Sequence, residues 1–142
     1  MSVKKSLWGD IPLPENERTP FTILQEQAEI LGEQTNDKLQ GRVRRVRRED
    51  RSECFFYLLE ISVPALDGYS FGVLIIYYKI MTIYPVSIID LVHDQNYEFE
   101  TEDQFVDMLG QILSSDEVRK VIQRLLSQLS IEKPAHGDEI EE

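Results

Sequence analysis

The sequence predicts a single α+β domain in which helices flank an antiparallel sheet. Three observations support this prediction. A helical pattern of apolar residues follows residue 19, and four apolar runs with short connections fill residues 39–92. A second helical region with a regular apolar stripe then closes the domain. The chain has 142 residues, an ordinary size for one domain with its own core.

We divide the chain into an extended N-terminal arm (1–18), the α+β domain (19–131) and a disordered acidic tail (132–142). The arm contains two prolines and shows little periodicity. Its apolar side chains are expected to anchor it to the domain; they are Leu7, Trp8, Ile11 and Leu13.

The first helix is predicted to begin at Thr19-Pro20. A threonine hydroxyl caps a helix N-terminus, and proline suits the first helical position. Apolar residues follow at mostly helical spacing, and glutamates and glutamines form the polar side. The helix is expected to end near Gly32 or Asn36 and to cover one face of the sheet.

Four strands are predicted, and they cover residues 39–48, 53–63, 69–80 and 84–92. Asp67-Gly68 is typical of a chain reversal, and the other connections are also short. We therefore expect consecutive strands to pair antiparallel, as a four-stranded meander.

The second and third strands are apolar on both faces. This pattern is expected of central strands that are covered on both sides, or of strands shared with a partner. The first strand, which is rich in arginine, is then placed at an edge. Because Val46 falls out of phase with Leu39, Gly41 and Val43, we expect a β-bulge near Arg44-Arg45.

One or two helices are predicted after the sheet. Thr101 and Gln104 have the spacing of a capping box, and residues 114–117 offer a second helix start. From Val118 to Leu129 the apolar residues recur with helical spacing.

Residues 42–51 carry six of the fifteen basic residues of a chain whose net charge is −11. This basic segment on an acidic protein indicates a specialised surface. Its candidate partner-binding residues are Arg42, Arg44, Arg45, Arg47 and Arg48. In a regular strand, alternation places Arg42, Arg44 and Arg48 on one side and Arg45 with Arg47 on the other, whereas a bulge would regroup them. The competing interpretation is that charges on an edge strand prevent edge-to-edge aggregation.

The strongly negative charge argues against broad binding to nucleic acid or to anionic membranes. A single cysteine, Cys54, excludes an intramolecular disulfide and fits a reducing compartment, so we expect a cytoplasmic protein. The first residues lack the apolar stretch of a secretory signal. We assign the apolar residues 71–89 to strands rather than to a membrane helix.

Candidates for catalysis are few. The seven glycines are scattered, so no phosphate-binding loop is indicated. An enzyme using His93 with Asp90 or Asp94 is one hypothesis, and a metal-dependent nuclease with Glu60 and Asp90 as its strand carboxylates is another. We expect a solvated loop histidine, a core role for Cys54, and no catalytic site, metal or cofactor.

The preferred hypothesis is therefore a small, acidic, non-catalytic protein-interaction module, such as an accessory, immunity-type or chaperone-like protein. It would contact a partner through the arginine-rich strand or the acidic helix faces. A homodimer formed through an edge strand or an apolar sheet face is a further hypothesis. The alternative is a nucleic-acid-binding protein that uses the arginine-rich strand, since arginine and tyrosine suit both kinds of partner.

Overall fold

The computed structural model describes residues 4–14 and 18–132. Within them, three helices and five strands follow one another along the chain. They are α1 (Pro20–Gln34), β1 (Gln40–Arg45), β2 (Cys54–Val63), β3 (Tyr69–Lys79), β4 (Val86–Asp90), β5 (Gln95–Phe99), α2 (Glu102–Leu113) and α3 (Asp116–Glu132).

The strands form one antiparallel sheet in the order β1-β2-β3-β4-β5. The predicted α+β class, the antiparallel meander and the edge position of β1 are confirmed. The predicted count of four strands is wrong, because β5 adds a fifth. This strand is only five residues long and has two apolar side chains, Tyr97 and Phe99, so its period-two pattern is weak. A tight turn with Asp94 at φ 58° joins it to β4.

One face of the sheet packs against the helices and forms the core. Leu59, Ile76 and Ile88 lie on neighbouring strands of this face and are almost fully buried. Leu24 of α1 and Phe105 of α2 belong to the same buried cluster. The architecture therefore has two layers, a helical layer and a sheet.

The irregularity in the sheet lies in β3 rather than in β1. Leu59 pairs with Leu74 and Glu60 pairs with Gly72, which leaves Val73 as an extra residue. Both Val73 and Leu74 are buried in the core. The pairing of β1 with β2 is regular throughout, so the bulge expected near Arg44-Arg45 is absent from this strand.

The predicted helix starts are confirmed by their caps. The Thr19 hydroxyl accepts a hydrogen bond from the amide of Thr22, and the Thr101 hydroxyl accepts one from Gln104. The Ser115 hydroxyl accepts from the amide of Val118 at 3.3 Å. The C-terminal region therefore forms two helices, which divide at residues 114 and 115.

The N-terminal arm does not pack on the domain in the way that we expected. The anchoring role assigned to its apolar side chains is wrong, since they are 70–92% exposed: Leu7, Trp8, Ile11 and Leu13. Residues 133–142, which make up nearly all of the predicted tail, lie outside the described residues. In the part of the chain that the structure describes, no helix is sufficiently long and apolar to cross a membrane.

Helix α1 approaches β1 most closely at Gly41. A Cβ atom on Gly41 would lie 2.5 Å from the Cα of Ala28 and 2.6 Å from its carbonyl oxygen. Both of these atoms belong to the backbone, so α1 would have to move to make room. The absence of a side chain at residue 41 therefore sets the distance between the helix and the sheet.

We expect Gly41→Ala to lower the free energy of unfolding by about 1–3 kcal/mol, because the new methyl group overpacks the helix–sheet contact. The matched control is Gly110→Ala on α2, where an added Cβ meets nothing within 4 Å. That control is expected to be neutral or to stabilise by up to about 1 kcal/mol. Urea unfolding of the three proteins measures both effects, and equal stabilities would contradict the close contact.

Candidate interaction surface

The face of the sheet opposite the helices, here called the open face, carries a patch of apolar side chains. Its apolar residues are Phe56, Leu58, Ile75, Tyr77, Ile89 and Leu91. None of them belongs to the core cluster that the helices form with the sheet. The strand register places Leu58, Ile75 and Ile89 side by side in one row.

Leu91, which follows the last residue of β4, extends the apolar patch beyond this row. A Cβ atom on Gly72 would lie 3.4 Å from a methyl carbon of Leu91 and 3.5 Å from one of Leu58. The two leucines therefore meet over Gly72 on the open face. Leu91 is still 45% exposed, so this part of the patch is accessible to a partner.

Two arginines cover the aromatic pair in the next row. The rings of Phe56 and Tyr77 are stacked, with centroids 4.8 Å apart. The guanidinium of Arg48 lies 5.2 Å from the Phe56 centroid, and that of Arg51 lies 5.6 Å from the Tyr77 centroid. Phe56 is consequently only 4% exposed.

Carboxylates hold these two arginines in place. Asp50 accepts hydrogen bonds from Arg48 at 3.3 Å, and Glu53 accepts one from Arg51 at 3.4 Å. The Arg48 guanidinium holds the pKa of Asp50 below its ordinary value through these hydrogen bonds. The positive charges above the aromatic pair are therefore largely neutralised locally.

Arg44 neutralises a carboxylate on the open face. Its Nε and Nη2 atoms donate to the two carboxylate oxygens of Glu60 at 3.2 and 3.4 Å. The Glu60 side chain is only 10% exposed, whereas that of Arg44 is 51% exposed. Arg42 pairs across the strands with Glu60, but no carboxylate of the described residues lies within ion-pair distance of Arg42 or Arg47.

The candidate arginines are divided between the two faces of the sheet. Regular alternation along β1 puts Arg42 and Arg44 on the open face, and Arg48 returns to that face above Phe56. Arg45 lies on the helix side, with its guanidinium 4.8 Å from the Phe55 centroid. Arg47 is exposed beyond the end of β1.

Two components of this surface were not predicted from the sequence. Arg51 joins the arginines of the open face through its contact with Tyr77. The apolar row was not identified as a surface, although the two-sided apolar pattern of β2 and β3 indicated it. An acidic residue marks the opposite edge, since Glu98 pairs with Ser87, which in turn pairs with Tyr77.

His93 joins the sheet to α3 through two carboxylates. Its Nδ1 lies 2.7 Å from Oδ2 of Asp90, and its Nε2 lies 3.0 Å from Oε1 of Glu117. The other oxygen of the buried Asp90 accepts from the amides of Val92 and His93. Hydrogen bonds to Glu117 and Asp90 raise the pKa of His93. His93 therefore links β4 to α3 through Asp90 and Glu117, and these three residues are here called the His93 clasp. We had expected a solvated loop residue.

This arrangement gives little support to an enzyme built on His93. Both ring nitrogens face carboxylates, so neither is free to take a proton from a substrate. Asp94 is exposed, and the side chains that hydrogen-bond with the ring of His93 are Asp90 and Glu117 instead.

The carboxylates considered for a nuclease site do not converge. Glu60 lies on the open face, whereas Asp90 lies on the helix face, where it pairs with Leu74 of the core. Cys54 is buried, and its sulfur lies 3.5 Å from Nη2 of Arg51. Among the described residues, no group of three or more His, Cys, Asp or Glu side chains is placed to hold a metal ion.

A cavity of about 160 Å³ lies on the other side of the sheet, between α1 and α3. Its lining is mostly aliphatic and includes Leu31, Leu59 and Ile122. Gln27 and Gln34 are the polar side chains that line it, whereas the carboxylate of Glu60, which also borders the cavity, lies on the open face in its ion pair with Arg44. The cavity therefore offers apolar contacts and no acid–base chemistry.

The chain matches no protein-family model, no curated protein and no solved structure.

We expect Arg44→Ala to lower the free energy of unfolding by about 1–3 kcal/mol, because the Glu60 carboxylate would lose its hydrogen-bond partner at a nearly buried position. Arg47→Ala, which removes an exposed arginine, is expected to change it by less than about 0.5 kcal/mol. Replacing Glu60 as well, in Arg44→Ala/Glu60→Leu, should recover most of the loss. Chemical denaturation separates these outcomes, and equal effects of the two single variants would contradict a structural role for the pair.

The His93 clasp predicts a pH-dependent contribution to stability. Because the folded state raises the pKa of His93 above its ordinary value of 6.5, the contribution is complete below about pH 6.5 and is lost as the pH rises through the folded value. The bond to His93 also lowers the pKa of Glu117 from its ordinary 4.5, so this carboxylate contributes above about pH 4.5. The difference in Tm between the wild type and His93→Asn should be greatest near pH 6 and shrink toward pH 9. Thermal unfolding across this range tests it, with Asp94→Asn as the control for a carboxylate outside the clasp.

Proposed function

We propose that this protein is a small, non-catalytic interaction module of the cytoplasm that binds a protein partner through the open face of its sheet. The observation that carries the proposal is the apolar row on a face that the helices leave uncovered. When a partner removes such apolar side chains from water, the free energy of association becomes more favourable. The single cysteine is buried and free, which suits a reducing compartment.

The composition of the open face supports a protein partner. Its centre is aliphatic and aromatic, and its β1 side is lined by Arg42, Arg44 and Arg48. An apolar centre that includes aromatic rings, with arginine beside it, is a composition typical of protein interfaces. Because Arg44 is held by Glu60 and Arg48 by Asp50 and the Phe56 ring, these two arginines lose little conformational freedom when a partner binds.

The outer helix surfaces, our other candidate for contact, support binding less well. The exposed sides of the described helices α1 and α2 are acidic, and each exposes a single large apolar side chain, Ile30 and Val106 respectively, whereas α3 exposes Arg119, Lys120 and Arg124 beside its acids. Single exposed apolar residues are ordinary on soluble proteins. Protection of the β1 edge remains a sufficient role for Arg45 and Arg47, which lie away from the open face.

Nucleic-acid binding is the alternative function, and the exposed sheet with aromatic residues and arginines favours it. Single-stranded nucleic acid needs ring faces that are free for base stacking. Here Arg48 and Arg51 already occupy the faces of Phe56 and Tyr77, and Asp50 and Glu53 neutralise these arginines. The net charge of −11 adds a repulsive field, so we favour the protein partner.

Leu91→Asp tests the proposal, because it places a charge in the apolar part of the open face. Val106→Asp is the matched control, since Val106 is 40% exposed against 45% for Leu91 and lies on α2 in the helical layer. Proteins that bind the wild type should also bind Val106→Asp, and their affinity for Leu91→Asp should fall at least tenfold, by roughly 1.4 kcal/mol or more. Affinity capture with and without nuclease, followed by titration of the captured protein, measures this effect.

Two results would overturn the proposal. Equal binding by Leu91→Asp and the wild type would remove the open face from the interaction. Loss of binding after nuclease treatment, with a steep fall in affinity as salt increases, would favour the nucleic-acid alternative instead.

A further inference from the structure

We infer that the partner bound by the open face is a second copy of this chain, stacked face to face about a two-fold axis that runs along β3. The inference rests on the proposed function and specifies its partner. Sheet-on-sheet packing with nearly aligned strands is a common way to bury a second sheet face. Three properties of the face support a self-complementary contact.

The first property is the charge at its two edges. Arg42 and Arg44 lie on β1 at one edge, and Glu98 lies on β5 at the other. A two-fold axis parallel to the strands places β1 of each copy opposite β5 of the other. The acidic edge of each copy then faces the arginine-lined edge of the other, and this contact occurs twice.

The strand register specifies which charges meet. Glu98 shares a row with Tyr77 and Phe56, and this row continues to Val46 beyond the end of β1. In the two-fold stack, Glu98 therefore lies near Val46 of the second copy, between the positions of Arg44 and Arg48 on the open face. Glu98 has no ion pair within the described residues of its own chain, so it is available for this contact.

The second property is the apolar row at the centre. Ile75 lies on β3, the middle strand, so the axis brings it against the same residue of the second copy. Leu58 on β2 then meets Ile89 on β4 of the other copy, and Ile89 meets Leu58 in the same way. The same apolar row of each copy thus contacts that row of the other, as an isologous interface requires.

The third property is the size of the face. The five strands contain 37 residues, each of which covers about 3.3 Å along its strand and roughly 4.8 Å across the sheet. The projected area is thus on the order of 600 Å², which approaches the roughly 800 Å² of accessible surface that each partner buries in a standard interface. Because each copy carries −11 charges, attraction must come from the apolar centre and the unlike edges.

The oligomeric state of the full chain is the first test. Sedimentation equilibrium from about 1 to 200 µM should show a monomer–dimer equilibrium for the wild type and for Val106→Asp. Leu91→Asp should weaken the dimer by about tenfold or more. A wild type that remains monomeric at all concentrations would overturn the inference, as would a dimer that Val106→Asp weakens as much as Leu91→Asp does.

Charge exchange tests the two-fold orientation. Glu98→Lys alone and Arg48→Glu alone should each weaken self-association, because like charges then meet at both edges. A mixture of these two variants should form mixed dimers several-fold more readily than either variant dimerises alone. In the mixed dimer, the two substituted residues meet at one edge with their charges exchanged, and the native pair of Arg48 and Glu98 meets at the other. Equal self-association in the mixture and in the separate variants would overturn the proposed stacking.

Failure of this inference is distinguishable from failure of the proposed function. If the wild type is monomeric but captures a different protein that Leu91→Asp no longer binds, the interaction module stands and the second copy is excluded. If the wild type is monomeric and Leu91→Asp binds every captured protein as well as the wild type does, both proposals fall.

Discussion

One-sided burial of the sheet is the constraint on which the rest of this structure depends. Helix α1 precedes the β1 edge, and α2 begins shortly after β5 at the opposite edge. The two ends of the meander thus supply the helical layer, and α3 follows α2 after a break at residues 114 and 115. Because these helices contribute to a core on one face only, the other face keeps its apolar side chains outside that core.

The polar groups of the open face are arranged around this apolar centre. A nearly buried carboxylate, Glu60, is compensated by the two parallel hydrogen bonds from Arg44. The stacked rings of Phe56 and Tyr77 are covered by two guanidinium groups that carboxylates hold in position. The arginines of this segment consequently stabilise the face that they border, in addition to any part they play in binding.

The helix face also contains a buried carboxylate, Asp90, and hydrogen bonds compensate for its burial. Asp90 accepts two backbone amides and faces His93, whose other nitrogen reaches Glu117 in the first turn of α3. This histidine therefore links the turn between β4 and β5 to the last helix. Glu60 and Asp90, which sequence spacing alone could group into one acidic site, thus serve separate structural roles on opposite faces.

The sequence by itself determined the fold class, the helix caps at Thr19 and Thr101 and the edge position of β1, because caps, turns and apolar periodicity are local properties. It did not reveal β5, whose five residues pair only because β4 offers an edge, or the displacement of the bulge from β1 to Val73. Only the tertiary structure decided which face of β2 and β3 the helices cover and which carboxylate meets each arginine. These contacts join residues that are distant in the chain, and an apolar pattern on both faces is the same whether a helix, a second copy or water lies against it.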